Sequence, residues 1–236
     1  MANIIITGAS SGIGFETVLD LTANKEHHVI ALARSGDKLR KLHEIASSLN
    51  YDGGKLYPAQ FDIVYDNYAD SLIPFIKSKF ETVDILINNA GALVKKSFLE
   101  TSPEEFAQML QTNVLGHVNM IKHIVPLMTN GGHIVNISSM GGVQGSVKFS
   151  GLSAYSASKG ALGILTECLA EEFKEQNIKV NCLALGSSQT EMFEAAFPDL
   201  QAGTLAFEMG RYVAEFAQNG SKYYNGKILP VSNTTP

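Results

Sequence analysis

"IIITGASSGIG", residues 4–14, sets a β-branched run directly against the glycines Gly8, Gly12 and Gly14. Consecutive isoleucines suit a strand covered on both faces. Closely spaced glycines suit a backbone that must turn tightly or lie close to something. A helical pattern follows at 12–24, completing a strand–turn–helix unit. In such a unit the first glycine permits the turn. The others let a pyrophosphate approach the helix start, where free N–H groups and the helix dipole favour an anion. An ordinary βα turn with a glycine helix cap would carry the same residues. No Gly-Lys-Ser/Thr follows, so this is not a Walker loop.

Further strand patterns lie at 28–32, 55–60, 83–87, 133–137, 178–184 and 227–231. Helical stretches lie between them at 36–49, 66–80, 103–129, 155–175 and 207–219. This alternation predicts right-handed βαβ units in an α/β, Rossmann-like doubly wound fold with a central, seven-stranded parallel sheet. Ser102-Pro103-Glu104-Glu105 marks one helix start with a cap, a proline and a capping-box glutamate. Without a Pro/Gly-rich linker or a repeat, residues 1–236 read as one domain.

Hydrophobic residues make up 45% of the 236 and charged residues 17%, which predicts a large core and argues against disorder. The net charge of −5, with no basic cluster, argues against nucleic acid as a partner. Cys168 and Cys182 sit in apolar contexts and read as buried thiols in a reducing compartment. No signal peptide precedes the first strand, and no apolar run approaches the roughly 18 residues of a membrane span. The expectation is a soluble, cytoplasmic protein with no membrane partner. The histidines show no metal-ligand spacing, so no metal is expected. His27 and His28 read as exposed loop residues before a strand.

The end of the second strand selects between dinucleotides. An acid there would bind the ribose 2′-hydroxyl of NAD, whereas a base accommodates the 2′-phosphate of NADP. The chain reads "ALARSGDKL" from residue 31, with Ala33 in the acid's place and Arg34 next to it. Arginine donates bidentately to phosphate, and Ser35 and Ser10 add hydroxyls. Arg34 could otherwise be a solvated loop residue. The reading is NADP, with NAD possible. Tyr155 and Lys159, four apart at a helix start, lie on one face. A free phenol, with a pKa of ~10, is a poor acid near neutrality, and a neighbouring ammonium lowers that value. The pair is therefore a plausible tuned acid, though many such pairs are only surface contacts.

"FDI" (61–63), "NNAG" (88–91), "TNVLG" (112–116), "NISS" (136–139) and "YSASK" (155–159) follow the glycine loop in that order. Together they resemble the short-chain dehydrogenase/reductase family from residue 3 to about 190. The resemblance implies an NADP-dependent oxidoreductase interconverting a carbonyl and a secondary alcohol by hydride transfer. Tyr155 would be its acid/base, with Lys159 binding the nicotinamide ribose and lowering the tyrosine pKa. Ser139 would bind the substrate oxygen, with Ser138 as the alternative. The backbone carbonyl of Asn113, a helix-interrupting residue, would hold a water in the proton relay. Gly8, Ser10, Ser11, Gly12, Ile13 and Gly14 would cradle the cofactor, with Arg34 and Ser35 at its 2′-phosphate. Asp62 and Ile63 would flank adenine, and Asn89, Ala90 and Gly91 the ribose. Thr190 would contact the nicotinamide amide, although it also reads as a helix cap, as Asp62 reads as a turn residue. Members generally form dimers or tetramers through helices near Asn113 and Tyr155, implying a homodimer or homotetramer here. The other readings are an NAD-dependent enzyme of the same family and a non-catalytic dinucleotide sensor.

The chain departs from the family pattern at three places. The 139–155 segment is about three residues longer than usual, with the excess near "SVKFS". Leu185-Gly186 replaces Pro-Gly after the sixth strand. The segment after Thr190 is short and carries Met192, Phe193 and Phe197, which form either an apolar lid or core contacts; the chain end also lacks the usual paired glycines. Leu162, Leu165, Cys168 and Leu169 read as a core or subunit-interface face.

Overall fold

Ala2–Thr7 (β1) is an interior strand of the sheet, and Ile4, Ile5 and Ile6 are all fully buried. Consecutive burial on both faces follows from helices packing on each side. The computed structural model describes residues 1–23, 27–49, 54–129 and 131–233. In chain order the elements after β1 are α1 (Gly12–Ala23), β2 (His27–Ala33), α2 (Gly36–Leu49), β3 (Lys55–Gln60), α3 (Ile73–Lys77) and β4 (Ile85–Asn88). Then come α4 (Pro103–Leu110), α5 (Gly116–Ile124), β5 (Gly132–Ser139), α6 (Ser153–Glu172) and β6 (Ile178–Leu185). The last are β7 (Ser188–Gln189), α7 (Glu191–Ala196), β8 (Thr204–Leu205), α8 (Ala206–Asn219) and β9 (Ile228–Val231).

The main sheet has seven parallel strands in the order β3-β2-β1-β4-β5-β6-β9. This is the predicted Rossmann-like α/β fold. Strand order reverses between β1 and β4, and ligands of such sheets bind at the carboxyl ends beside that switch. One apolar layer joins α1, α2 and α8 to one face, through residues such as Val18, Leu42 and Val213. The other joins α3, α5 and α6 to the opposite face through Ile76, Met120 and Ala170.

The predicted helix at 103–129 is broken. Ser102 caps α4 with the predicted capping box, and then a π-helical turn, Gln111–Leu115, separates α4 from α5. A wider turn of this kind re-aims backbone groups and is frequent at functional sites. The pair β7 and β8 has no counterpart in the sequence reading, since two residues leave no alternation to detect.

Two expectations fail. His27 and His28 belong to β2, and His27 is buried. Distant partners stabilise them there: His27 Nε2 lies 2.8 Å from Gln218 Oε1, and the His28 ring stacks on Phe80. Of the two cysteines, only Cys182 is buried, while Cys168 is exposed. The buried stripe of α6 runs through Ala154, Ser158, Leu162, Thr166 and Ala170, a spacing that turns residue 168 to the far side. Leu162 alone of the expected apolar face is fully buried. Among the described residues, no helix is long and apolar enough to cross a membrane.

Two buried histidines give the fold an acid-sensitive core. Burial, aided by the nearby Lys159 ammonium, pushes His117 down to about 3, and burial pushes His133 down to about 4. An unfolded histidine titrates near ~6.5. Between those values the unfolded chain therefore holds more protons than the folded one, so stability rises with pH through the window. Urea midpoints should be level between about pH 6.5 and 8 and fall steadily toward pH 4. Neither ring nitrogen of His117 makes a hydrogen bond of ordinary geometry, so His117→Leu should fold and show a shallower fall. An unchanged pH slope in that variant would count against this origin.

Candidate active site

The turn after β1 is held open by contacts that admit no side chain. Gly8 has φ +69° and Gly12 has φ +56°. A Cβ on Gly8 would fall 2.7 Å from Ala90 Cα, and one on Gly14 would fall 2.4 Å from both Gly8 O and Asn89 Nδ2. Asn89 Nδ2 donates to the carbonyls of Thr7 and Gly8, each at 3.1 Å. The buried Thr7 hydroxyl oxygen accepts from the N–H groups of Asn89 and Ala90 at 3.1 and 3.0 Å. The end of β1 and the loop leading into α1 are thus fastened to the residues after β4. Sequence reasoning missed Thr7; a threonine directly before the loop was its only trace.

A cavity of about 890 Å³ runs along the sheet's carboxyl edge. Every predicted cofactor and catalytic residue except Asn113 lines it. At one end are Arg34, Ser35 and the unforeseen Lys38. Arg34 is exposed and makes no ion pair among the described residues. Ser35 Oγ accepts from Lys38 N–H at 3.3 Å, capping α2. Lys38 Nζ meets Glu191 Oε2 of α7 at 2.7 Å across the groove. Asp62 serves as the turn residue: its Oδ1 accepts from Val64 N–H at 2.9 Å, and it still lines the cavity beside Ile63.

The other end holds Ser139, Tyr155 and Lys159. Ser139 ends β5, and Tyr155 and Lys159 lie on the first turns of α6. The serine alternatives separate here. Ser138 Oγ donates to Lys159 O at 2.8 Å, whereas Ser139 Oγ accepts from Gly141 N–H at 3.1 Å and lines the cavity with Tyr155. Enclosure raises the phenol above its ordinary pKa, and the Ser139 contact works the other way. Lys159 Nζ is 5.9 Å from the Tyr155 ring centroid and donates to Ile137 O at 2.9 Å. Burial brings Lys159 itself down to about 8.

Asn113 lies beneath the cavity, in the π-helical turn. Its side chain accepts from Ala92 N–H at 2.8 Å and donates to Ala92 O at 3.0 Å and Ser158 Oγ at 2.9 Å. It ties the segment after β4 to α6, holding the two sides of the site together. Thr190 Oγ1 accepts from Phe193 N–H at 3.2 Å, capping α7. Its Cγ2 lies 3.2 Å from where a Gly12 Cβ would stand, so it packs against the glycine loop.

The donor set fits a dinucleotide. A helix N-terminus faces the middle of the cavity, cations stand at one end, and a serine, a tyrosine and a lysine stand at the other. A doubly wound sheet with these features defines a dinucleotide-binding oxidoreductase. Within that class the chain belongs to the short-chain dehydrogenase family, whose model matches residues 2–201, and it is an NAD(P)-dependent oxidoreductase. An NADPH-dependent pterin aldehyde reductase of Arabidopsis thaliana is 36% identical over 198 residues, covering 82% of this chain and 78% of that protein. A fatty acyl-CoA reductase of Acinetobacter baylyi is 32% identical over 192 residues, covering 80% of this chain and 63% of that protein. The fold is also that of L-sorbose reductase from Gluconobacter frateurii, solved with NADPH and L-sorbose. Its TM-score is 0.87 at 22% identity, covering 99% of this chain and 96% of that one.

Proposed function

We propose that the protein is an NADP-dependent reductase of carbonyl compounds, with Tyr155 as the proton donor to the carbonyl oxygen. The observation that carries this reading is the cavity, which has Arg34 and Lys38 at one end and the Ser139–Tyr155 pair at the other. Arg34 and Ser35 would hold the 2′-phosphate, with Lys38 as a second cation. The loop from Gly8 to Gly14 would hold the pyrophosphate, Asp62 and Ile63 would flank adenine, and Asn89 to Gly91 would lie along the ribose. Lys159 would bind the nicotinamide ribose, and Thr190 keeps an O–H free to donate to the amide. NADPH, when bound, supplies the hydride. Ser139 would donate to the carbonyl oxygen as charge develops on it, and Tyr155 would deliver the proton that completes the alcohol. Asn113 positions Ala92 and α6, and its backbone carbonyl would hold a water in the proton relay. The NADPH-dependent name of the Arabidopsis relative supports the cofactor choice.

We place the enzyme in the cytoplasm, as one domain per chain and as a homodimer or homotetramer. Exposed apolar side chains at Leu115 and Ile164, near the helices expected to pair, support the assembly.

The cofactor reading is tested with Arg34→Ala. A lost charge-assisted bond is worth about 1.5–3 kcal/mol, so kcat/KM for NADPH should fall roughly ten- to hundredfold. The value for NADH should hardly move. Equal losses with both cofactors would overturn the assignment. The chain has no tryptophan, so binding is read from NADPH fluorescence.

A further inference from the structure

The reacting end of the cavity differs from the cofactor end in its chemistry. The charged residues lining the cavity are Arg34, Lys38, Asp62, Lys159 and Glu191. The first three belong to the adenosine end, Glu191 is paired with Lys38, and Lys159 donates to Ile137. Besides these the lining is uncharged, with a few hydroxyls such as Ser156, and three phenylalanines stand in it: Phe149, Phe193 and Phe197.

These rings come from two separate segments that meet over the cavity. Phe149 belongs to the lengthened 139–155 segment, and its ring packs edge-on against Phe197 with centroids 5.8 Å apart. Phe193 and Phe197 of the lid lie 5.3 Å apart. Both supports are fixed in place. Ser146 Oγ reaches Val143 O at 2.9 Å, the Lys148 ammonium reaches the same carbonyl, and Lys96 N–H donates to Gly151 O at 2.9 Å. On the lid side, Lys95 Nζ donates to Ala196 O at 2.8 Å and sits 4.1 Å from the Phe197 ring centroid. Lys95 does not line the cavity; its charge is spent on pinning the ring. Yet Phe149 is still 59% exposed. A large ring held toward a cavity with that much uncovered surface gains by covering it with another apolar surface, and aromatic pairs favour such edge-on or offset contacts.

We infer that the substrate is an uncharged carbonyl compound bearing an aromatic ring, and that Phe149, backed by Phe197, is the residue that selects it. The inference rests on the reductase reading above. A carboxylate or phosphate on the substrate would meet no cation at this end except Lys159, which this reading assigns to the cofactor ribose, and a polyhydroxylated chain would leave hydroxyls unpaired against the phenylalanines.

The test is steady-state reduction with NADPH of propiophenone, 4-propionylbenzoate, butanone, fructose and acetoacetyl-CoA. Propiophenone should exceed each of the others in kcat/KM by roughly tenfold or more. Phe149→Ala should raise the KM for propiophenone by roughly tenfold, leaving its kcat within about twofold and butanone nearly unchanged. The butanone rate separates this from a folding defect, which would depress both substrates. Phe149→Leu should recover part of the loss. Faster turnover of the carboxylated ketone, the sugar or the thioester would overturn the inference and leave the reductase reading standing, as would equal effects of Phe149→Ala on propiophenone and butanone. No NADPH consumption with any carbonyl would overturn both.

Discussion

Tyr155→Phe should bind NADPH as the parent protein does and lose about 10²–10⁴-fold in kcat. The change removes one oxygen and keeps the ring that packs on the cavity wall, so the fold should not suffer. What disappears is the phenol hydroxyl that, in this reading, delivers the proton. KM for the carbonyl should change little, because the interaction removed is one made chiefly as charge builds on oxygen. The measurement is single-turnover decay of NADPH fluorescence with saturating ketone, alongside a fluorescence titration of NADPH without it. A variant within tenfold of the parent rate would refute Tyr155 as the acid.

Gly14→Ala should act at the other end of the reaction path, on cofactor capture. Alanine is the better helix former by about 0.8–1 kcal/mol, which favours the variant. The steric effect opposes this and is larger. The new methyl would stand 2.4 Å from Gly8 O and Asn89 Nδ2, wedged into the bond that fastens the loop to β4. Neither the Gly8 backbone nor Asn89, already bonded to two carbonyls, can move aside freely. Overpacking of this kind costs about 1–3 kcal/mol, or more where the backbone is hit. The melting temperature should drop by about 2–4 °C for each kcal/mol lost. NADPH affinity should weaken roughly ten- to hundredfold as the helix N-terminus leaves its position, the worth of one charge-assisted bond. Gly145→Ala is the contrast. Its φ is +81° but nothing lies within 4 Å of a Cβ there, so strain alone acts and NADPH binding should hold. Parent-like affinity in Gly14→Ala would show that the close approach of the loop to β4 is dispensable.

The sheet was legible in the sequence because its strands are buried on both faces. β1 carries the unbroken run Ile4–Ile6, β5 and β6 are apolar apart from a few polar positions such as Asn136 and Lys179, and tightly spaced glycines follow the first of them. The helices between were legible from their periodicity, and the start of α4 from its capping box. The site was legible where its residues sit close together in sequence, as in the glycine loop and the Tyr155–Lys159 pair. It was not legible where a contact joins distant positions. Nothing near residue 38 announces Glu191, and nothing near residue 95 announces Phe197. The histidines of β2 look polar in isolation, and only Gln218 and Phe80, remote in sequence, explain how a strand can bury them. The enclosure of Tyr155 at the cavity's end could not be read from spacing either, because it depends on every segment that reaches the cavity.

The parallel pairing of Ser188–Gln189 with Thr204–Leu205 closes the lid at its base. Ala202 N–H also donates to Gln189 Oε1 at 2.9 Å across that base. The excursion between them holds a six-residue helix, too short to persist without support. Its tethers differ in kind: an exposed ion pair from Lys38 at the start, and a carbonyl bond with a ring contact from Lys95 at the end. The segment should therefore open as one cooperative unit of low free energy while β5 and β6 stay shut. In hydrogen–deuterium exchange its amides should exchange together and early. Added salt should speed that opening by weakening the Lys38 tether, since exposed pairs are screened, while the Lys95 contacts persist.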